Sequence, residues 1–247
     1  MKNTILYLTV FIISLGLSQS KAAANFEASK YVVENGLLFE IGPKGKKEVE
    51  NAEVNEEERG EKTIYWLTVD PAAGGEEGKI YKGWAKGIYF FNGEGRYIAF
   101  LPTPKGQDSY PNFSPDGKLF ILDSGKNANR EFILYDFEGM APKKTFIGAP
   151  QLMWLSPEAF VFTSRDSQKS PRGPGGDYAG WLSVAVYDLK KDSLTIVAAA
   201  TPTEDFLLSH ADSSSKILDV NKISVKKVAD WQNEAAQTQE IIKTPLP

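Results

Sequence analysis

From residue 64 onward, apolar side chains fall in short runs: Ile64 to Val69, Ile88 to Phe91, Tyr97 to Leu101, Leu119 to Leu122 and Phe132 to Tyr135. The series continues with Leu152 to Leu155, Phe160 to Thr163, Leu182 to Tyr187, Leu194 to Ala198, Phe206 to Leu208 and Ile217 to Val220. The runs are rich in aromatic and β-branched residues and are punctuated by Gly, Pro, Asp and Asn, so each predicts a strand closed by a turn. No segment before residue 230 carries a 3.6-residue apolar period. Runs such as Leu119-Phe120-Ile121-Leu122 have no polar face, which predicts sheets covered on both sides and stacked rather than one sheet facing water. Only Ala229 to Ile242 reads as a short helix, followed by a frayed end at Thr244 to Pro247.

The pattern repeats. Phe113-Ser114-Pro115-Asp116 and Leu155-Ser156-Pro157-Glu158 are related by a shift of 42 residues, which also carries Phe120 onto Phe162. Tyr135-Asp136 and Tyr187-Asp188 match at a shift of 52, the extra ten residues falling where the short Gly125 to Arg130 connection gives way to Arg165 to Gly180. A period of about 40 to 45 residues with four strands per unit is that of propeller blades, which need neighbours because one blade cannot bury both apolar faces alone. The fold class read from the chain is all-β: a β-propeller of four-stranded antiparallel blades, about five of them and not necessarily a complete ring. A third copy, Phe206 to Val228, phases poorly, and the region before Tyr110 resists phasing, so a preceding β-domain stays open.

At Tyr110-Pro111-Asn112-Phe113-Ser114-Pro115-Asp116-Gly117-Lys118-Leu119 the chain resembles the TolB-type WD40-like (PD40) repeats, which carry Ser-Pro-Asp-Gly-Lys between their first two strands. Turn chemistry agrees: Pro115 suits the second position of a tight turn, Asp116 can accept nearby amides and Gly117 tolerates positive φ. The second copy has Glu158-Ala159 in place of Asp-Gly, so its turn must differ. The resemblance covers roughly residues 109 to 200. It implies a propeller of the kind that bacterial envelopes use as a docking platform for other proteins. Similar propellers precede the hydrolase domain of prolyl-oligopeptidase-like enzymes, for which this chain has no room.

The N-terminus reads as an export signal: Lys2, an apolar stretch from Ile5 to Leu17, and Ala22-Ala23-Ala24 for cleavage. This stretch of 13 residues covers roughly 20 Å against a hydrocarbon core of about 30 Å, too short for a comfortable span. The expected organisation is a signal peptide over 1–24, a propeller-like domain over 25–230 and a tail over 231–247, with the mature chain periplasmic or secreted and without a transmembrane segment. The chain has no cysteine, which removes disulfides, thiolate metal sites and a lipid-attachment thiol. Losing Lys2 and Lys21 with the signal moves the formal charge from −4 to −6, and basic residues are not clustered, so nucleic acid is not an expected partner. From Lys44 to Lys62 seven Glu and five Lys or Arg, with no helical stripe, read as a solvated loop.

Chemistry is sparse. His210 is the one histidine, no Gly-x-Ser-x-Gly elbow exists, and ordinary zinc, copper and haem sites lack ligands, so no catalytic, cofactor or metal residue is assigned and no cofactor is expected. Asp123, Asn127, Asn129 and Glu131 offer oxygens for calcium but miss the EF-hand spacing. Trp66, Trp154 and Trp181, in or beside strand-like runs, read as packing between blades. The long Arg165 to Gly180 connection is the candidate partner-binding loop, with Arg165, Lys169, Arg172, Asp177 and Tyr178 as its anchors, against the plainer reading of a tolerated insertion.

The function expected is therefore a non-enzymatic exported propeller that binds another envelope or secreted protein. The alternative is a propeller-fold hydrolase or lyase using paired carboxylates on carbohydrate or peptide substrate, for which fold analogy is the only support. A passive ligand-binding module is a weaker third.

Overall fold

The computed structural model describes residues 27, 30–72, 76–103, 110–123, 130–166, 181–212 and 214–247. The expected signal peptide lies outside them. The described chain is all-β, a series of antiparallel meanders. β1 (Tyr31–Glu34), β2 (Leu37–Gly42) and β3 (Gly45–Glu48) form a first sheet, and β4 (Asn55–Arg59), β5 (Lys62–Val69), β6 (Gly87–Phe91) and β7 (Tyr97–Pro102) a second. A seven-stranded sheet follows, ordered β8 (Pro111–Phe113), β9 (Leu119–Asp123), β10 (Arg130–Asp136), β11 (Ala141–Ser156), β12 (Ala159–Arg165), β13 (Leu182–Asp188) and β14 (Ser193–Ala198). β15 (Glu204–Asp212), β16 (Ile217–Ser224) and β17 (Thr238–Pro245) close the chain as a three-stranded sheet.

The seven-stranded sheet is two four-stranded units sharing one strand. β11 pairs with β10 through Ala141 to Gly148, then with β12 through Gly148 to Ser156, and the register breaks between Gly148 and Leu152. Gln151 sits at that break with φ 133°, a conformation side-chain-bearing residues seldom adopt. Gly148 permits the bend, because a Cβ there would lie 2.3 Å from the Thr163 carbonyl oxygen. The repeat then maps onto structure. Phe120 and Phe162 occupy second strands, β9 and β12, and the 52-residue shift carries β10, Arg130–Asp136, onto β13, Leu182–Asp188.

Alternate residues of each central strand enter different cores, which is why these strands show no polar face. On β9, Phe120 and Leu122 pack with Ile64, Trp66, Ile88 and Phe90 of the second sheet, while Ile121 packs with Phe132, Phe160 and Phe162 toward the next unit. On β12, Phe160 and Phe162 face back and Val161 faces forward, against Phe206, Leu208, Leu218 and Val220 of the last sheet. Leu67, Val69, Tyr89 and Phe91 meet Val33 and Leu38 of the first sheet. Four apolar clusters thus separate five successive layers, an arrangement consistent with a propeller-like fold. Among the described residues no such cluster joins the first sheet to the last.

Two local expectations are corrected. The charged stretch from Lys44 to Lys62 is not one loop: it holds β3, exposed throughout, and β4, alternately half-buried and exposed, edge strands whose backbones pair with β2 and β5. The C-terminal segment is not a helix with a frayed end. After two short 3-10 turns, Val228–Gln232 and Glu234–Ala236, it forms β17, in register with β16 from Thr238 to Pro245. Ile242 and Leu246 join the last core, and the Leu246 N–H donates to the Lys216 carbonyl at 2.9 Å. Its charged residues had hidden a pattern of period two. Among the described residues no helix is long and apolar enough to cross a membrane.

Candidate functional site

Neighbouring strands are antiparallel, so the first-to-second and third-to-fourth turns of each four-stranded unit emerge at the same end of the stack. Those turns build a cleft of about 740 Å³ spanning the second, third and fourth layers. Its base is apolar: Leu119, Phe137 and Met140 are half-buried extensions of the two cores beneath, and Pro157 adds a further apolar wall. Its rim is charged, with Lys62, Lys118 and Lys143 against Asp116, Asp136, Glu138 and Glu158.

The Ser-Pro-Asp-Gly-Lys turn shapes one wall. The fully buried Ser114 accepts the Leu119 N–H and donates to either Asp116 at 2.8 Å or the Leu119 carbonyl at 3.0 Å. Asp116 accepts the Lys118 N–H at 3.2 Å. Gly117 has φ 65°, a conformation that favours glycine, and a Cβ there would press on Arg59 Cβ at 3.2 Å and Ile64 Cδ1 at 3.4 Å. In the second copy the four-residue turn shortens to Pro157-Glu158, with Ser156 opposite Ala159, as the departure from Asp-Gly requires.

Opposite charges hold the rim in place. Lys143 pairs with Asp136 at 3.0 Å, Lys118 with Asp116 at 3.5 Å and Lys190 with Glu158 at 2.6 Å. Lys143 is the main cause that holds the Asp136 carboxyl below the usual range. Burial pushes Asp116 up, but the hydrogen bonds from Ser114 and the Lys118 amide, with the Lys118 charge, outweigh it and leave Asp116 lowered. Behind this wall, Lys144 reaches from β11 to the Tyr187 hydroxyl at 3.0 Å and to Asp192, and Tyr187 donates to Asp192, tying the third and fourth units together.

Of the residues singled out in the long connection, Lys169, Arg172, Asp177 and Tyr178 lie outside the described residues. Arg165 is placed differently from a loop anchor: it ends β12 opposite Leu182 and is only 8% exposed. The described ends of the connection, Asp166 and Trp181, are joined by a backbone bond of 3.2 Å. The buried Asp205 carboxylate accepts the N–H groups of Trp181 and Leu182 and fixes where β13 begins. Of the candidate calcium ligands, Asp123 is paired with Arg130 at 3.5 Å, Glu131 lies on β10, and Asn127 and Asn129 fall outside the described residues. Among the described residues no group of three or more His, Asp or Glu is placed to hold a metal ion. His210 is exposed on β15, opposite Asp219. Trp66 is buried between sheets, whereas Trp154 is half-buried and donates its indole N–H to the Asn112 carbonyl, 42 residues back in the repeat.

Sequence reasoning read Ser114 to Lys118 as a turn and used Asp136 only as a landmark of the repeat, passing over Glu138 to Met140. The signal available was that Tyr135-Asp136 and Tyr187-Asp188 repeat, which places the turns after them at the same end as the Ser-Pro turns.

No protein-family model and no curated protein matches the chain. Among solved structures it is similar to an oligogalacturonate lyase in complex with manganese, with 13% identity, a TM-score of 0.42, and coverage of 85% of this chain and 54% of the lyase. It is also similar to TolB from Acinetobacter baumannii, with 16% identity, a TM-score of 0.29, and coverage of 87% and 64%. For prolyl oligopeptidase B from Galerina marginata the identity is 14%, the TM-score 0.40, and the coverage 76% and 27%. The chain thus spans about half the length of the lyase and about a quarter of the oligopeptidase.

Proposed function

We propose that this chain is an exported, non-enzymatic β-propeller of about five blades that binds another envelope or secreted protein. The observation carrying this reading is the turn-built cleft, whose apolar base sits inside a rim of both charge signs. Such a rim suits a protein segment that offers an apolar side chain flanked by charged ones, since buried apolar anchors supply affinity and rim charges supply orientation. The signal peptide over 1–24, a periplasmic or secreted location and kinship with the TolB-type repeats belong to the same proposal. So does a contribution from the 165–180 connection, with Lys169, Arg172, Asp177 and Tyr178 as its anchors.

The second reading, a hydrolase or lyase, is favoured by one observation: Asp116, Asp136, Glu138 and Glu158 line a single cleft. Paired-carboxylate chemistry needs one acid that keeps its proton near neutral pH. Asp116 and Asp136 are both shifted the opposite way, so neither suits that role.

Affinity capture from the native host separates the readings. A stoichiometric protein partner that is retained by the native sequence and lost with Met140→Asp is the expected result. Recovery of no partner, or of one that binds Met140→Asp equally well, would overturn the platform reading. Cleavage of a polysaccharide or peptide substrate that Glu138→Gln or Glu158→Gln abolishes would replace it with the enzyme.

A further inference from the structure

The cleft combines apolar surface with charges that are unequally committed. Ile98 is 44% exposed on the second-layer wall, and the half-buried Leu119, Phe137 and Met140 form the base. Met140 holds φ 47°, a left-handed conformation that glycine adopts at less cost, so a long and adaptable thioether is kept where the backbone disfavours it.

Most of the rim charges are paired within the chain. Asp116 is taken by Lys118, Asp136 by Lys143 and Glu158 by Lys190, and Arg59, opposite Lys62 in the β4–β5 hairpin, is taken by Glu57. Among the described residues, Lys62 and Glu138 are the charged side chains of the cleft that have neither an ion pair nor a side-chain hydrogen bond. Both are exposed, and both stand on fixed backbone. Lys62 opens β5 in register with Arg59. The turn that carries Glu138 is held by Asp136, which accepts the N–H groups of Glu138 at 3.1 Å and Gly139 at 3.2 Å, and by the Phe137 N–H donating to the Lys118 carbonyl at 2.9 Å.

A cation of the second layer and an anion of the third thus stand uncommitted around one apolar base. A ligand of a single charge sign meets one of them and is repelled by the other, and a wholly apolar ligand takes water from both without replacing it. On the reading of this cleft as a docking site, we infer that it takes an extended peptide segment in which an apolar residue stands between an acidic residue, which meets Lys62, and a basic residue, which meets Glu138. Adjacent layers lie about 10 Å apart, a distance that an extended chain crosses in about three residues. The acid and the base therefore sit about three positions apart, with the apolar side chain between them on Met140 and Phe137.

Selection of a phage-displayed library of random peptides against the purified chain tests this. Peptides lost with Met140→Asp, or with the exposed Ile98→Asp, are those that use the cleft. Among them, an acid and a base about three positions apart on either side of an apolar residue should be enriched. Glu138→Lys should replace the base by a second acid, and Lys62→Glu should replace the acid by a second base; both side chains are exposed, so neither exchange touches the core. A peptide selected on the native chain should bind either variant several-fold more weakly, an exposed ion pair being worth about two- to five-fold, and added salt should narrow the difference. Cleft-dependent peptides without this charge pattern, or with one that both variants leave unmoved, would overturn the assignment of Lys62 and Glu138 and leave docking standing. Enrichment of no peptide that depends on Met140 or Ile98 would overturn docking at this cleft and the assignment together.

Discussion

A few side chains hold positions that no neighbour could fill. Asp205 is 2% exposed and accepts two backbone N–H groups, so Asp205→Ala strands two buried donors. The expected cost is about 2 to 3 kcal/mol in urea unfolding. Gly95 has φ 74°, its carbonyl accepts the Val33 N–H at 2.9 Å, and a Cβ there would lie 1.7 Å from the Val33 oxygen. Gly95→Ala must push the first sheet off the second, and a loss of more than about 2 kcal/mol is expected. The carboxyls of Asp136, Asp116 and Asp192 share a sign. Lys143 lowers the first. Hydrogen bonds from Ser114 and the Lys118 amide outweigh burial at the second, and Lys144 with Tyr187 lowers the third. In the unfolded chain such groups take up protons near pH 4. The stabilisation they contribute is therefore present above about pH 4 and is lost as the pH falls further, through the lower native values. The urea midpoint should hold from pH 8 to 6 and drop below pH 4; a midpoint unchanged down to pH 3 would contradict these pairings.

At the scale of elements, the repeat makes matched predictions. Phe120 and Phe162 are each fully buried at the same place in successive units, so Phe120→Ala and Phe162→Ala should each cost about 3 to 5 kcal/mol, measured by denaturant unfolding. A large difference between the two would break the equivalence. The pairing of β17 can be tested because the chain has no cysteine of its own: Asn221→Cys with Ile241→Cys places thiols on directly opposed strand positions, and oxidation should close a disulfide within one chain. These elements also show what was legible beforehand. Strands with apolar residues on both faces declared themselves, because two covering layers leave no polar position to confuse the pattern. β3, β4 and β17 did not, because edge strands are shielded by charge rather than by packing, and charge with Gly and Pro reads as loop. The cleft was half legible: Asp116 and Gly117 were marked by their turn, but Lys62 at the start of β5, Glu138 in the turn after β10 and Lys143 on β11 are brought together only by the stacking of layers.

At the scale of the whole molecule, layers cover one another in sequence order, each apolar cluster shared by two neighbours. That order places the turns of three successive layers around one cleft. Contacts between phenylalanine rings report it directly. Phe90 and Phe120 lie 5.6 Å apart between the second and third layers, and Phe146 and Phe160 lie 5.2 Å apart between the third and fourth. A nuclear Overhauser map of selectively labelled phenylalanine rings should contain both pairs and no cross-peak from Phe90 to Phe146 or Phe160. A cross-peak from Phe90 to either of those rings, or the loss of both inter-layer pairs, would contradict the stacked order.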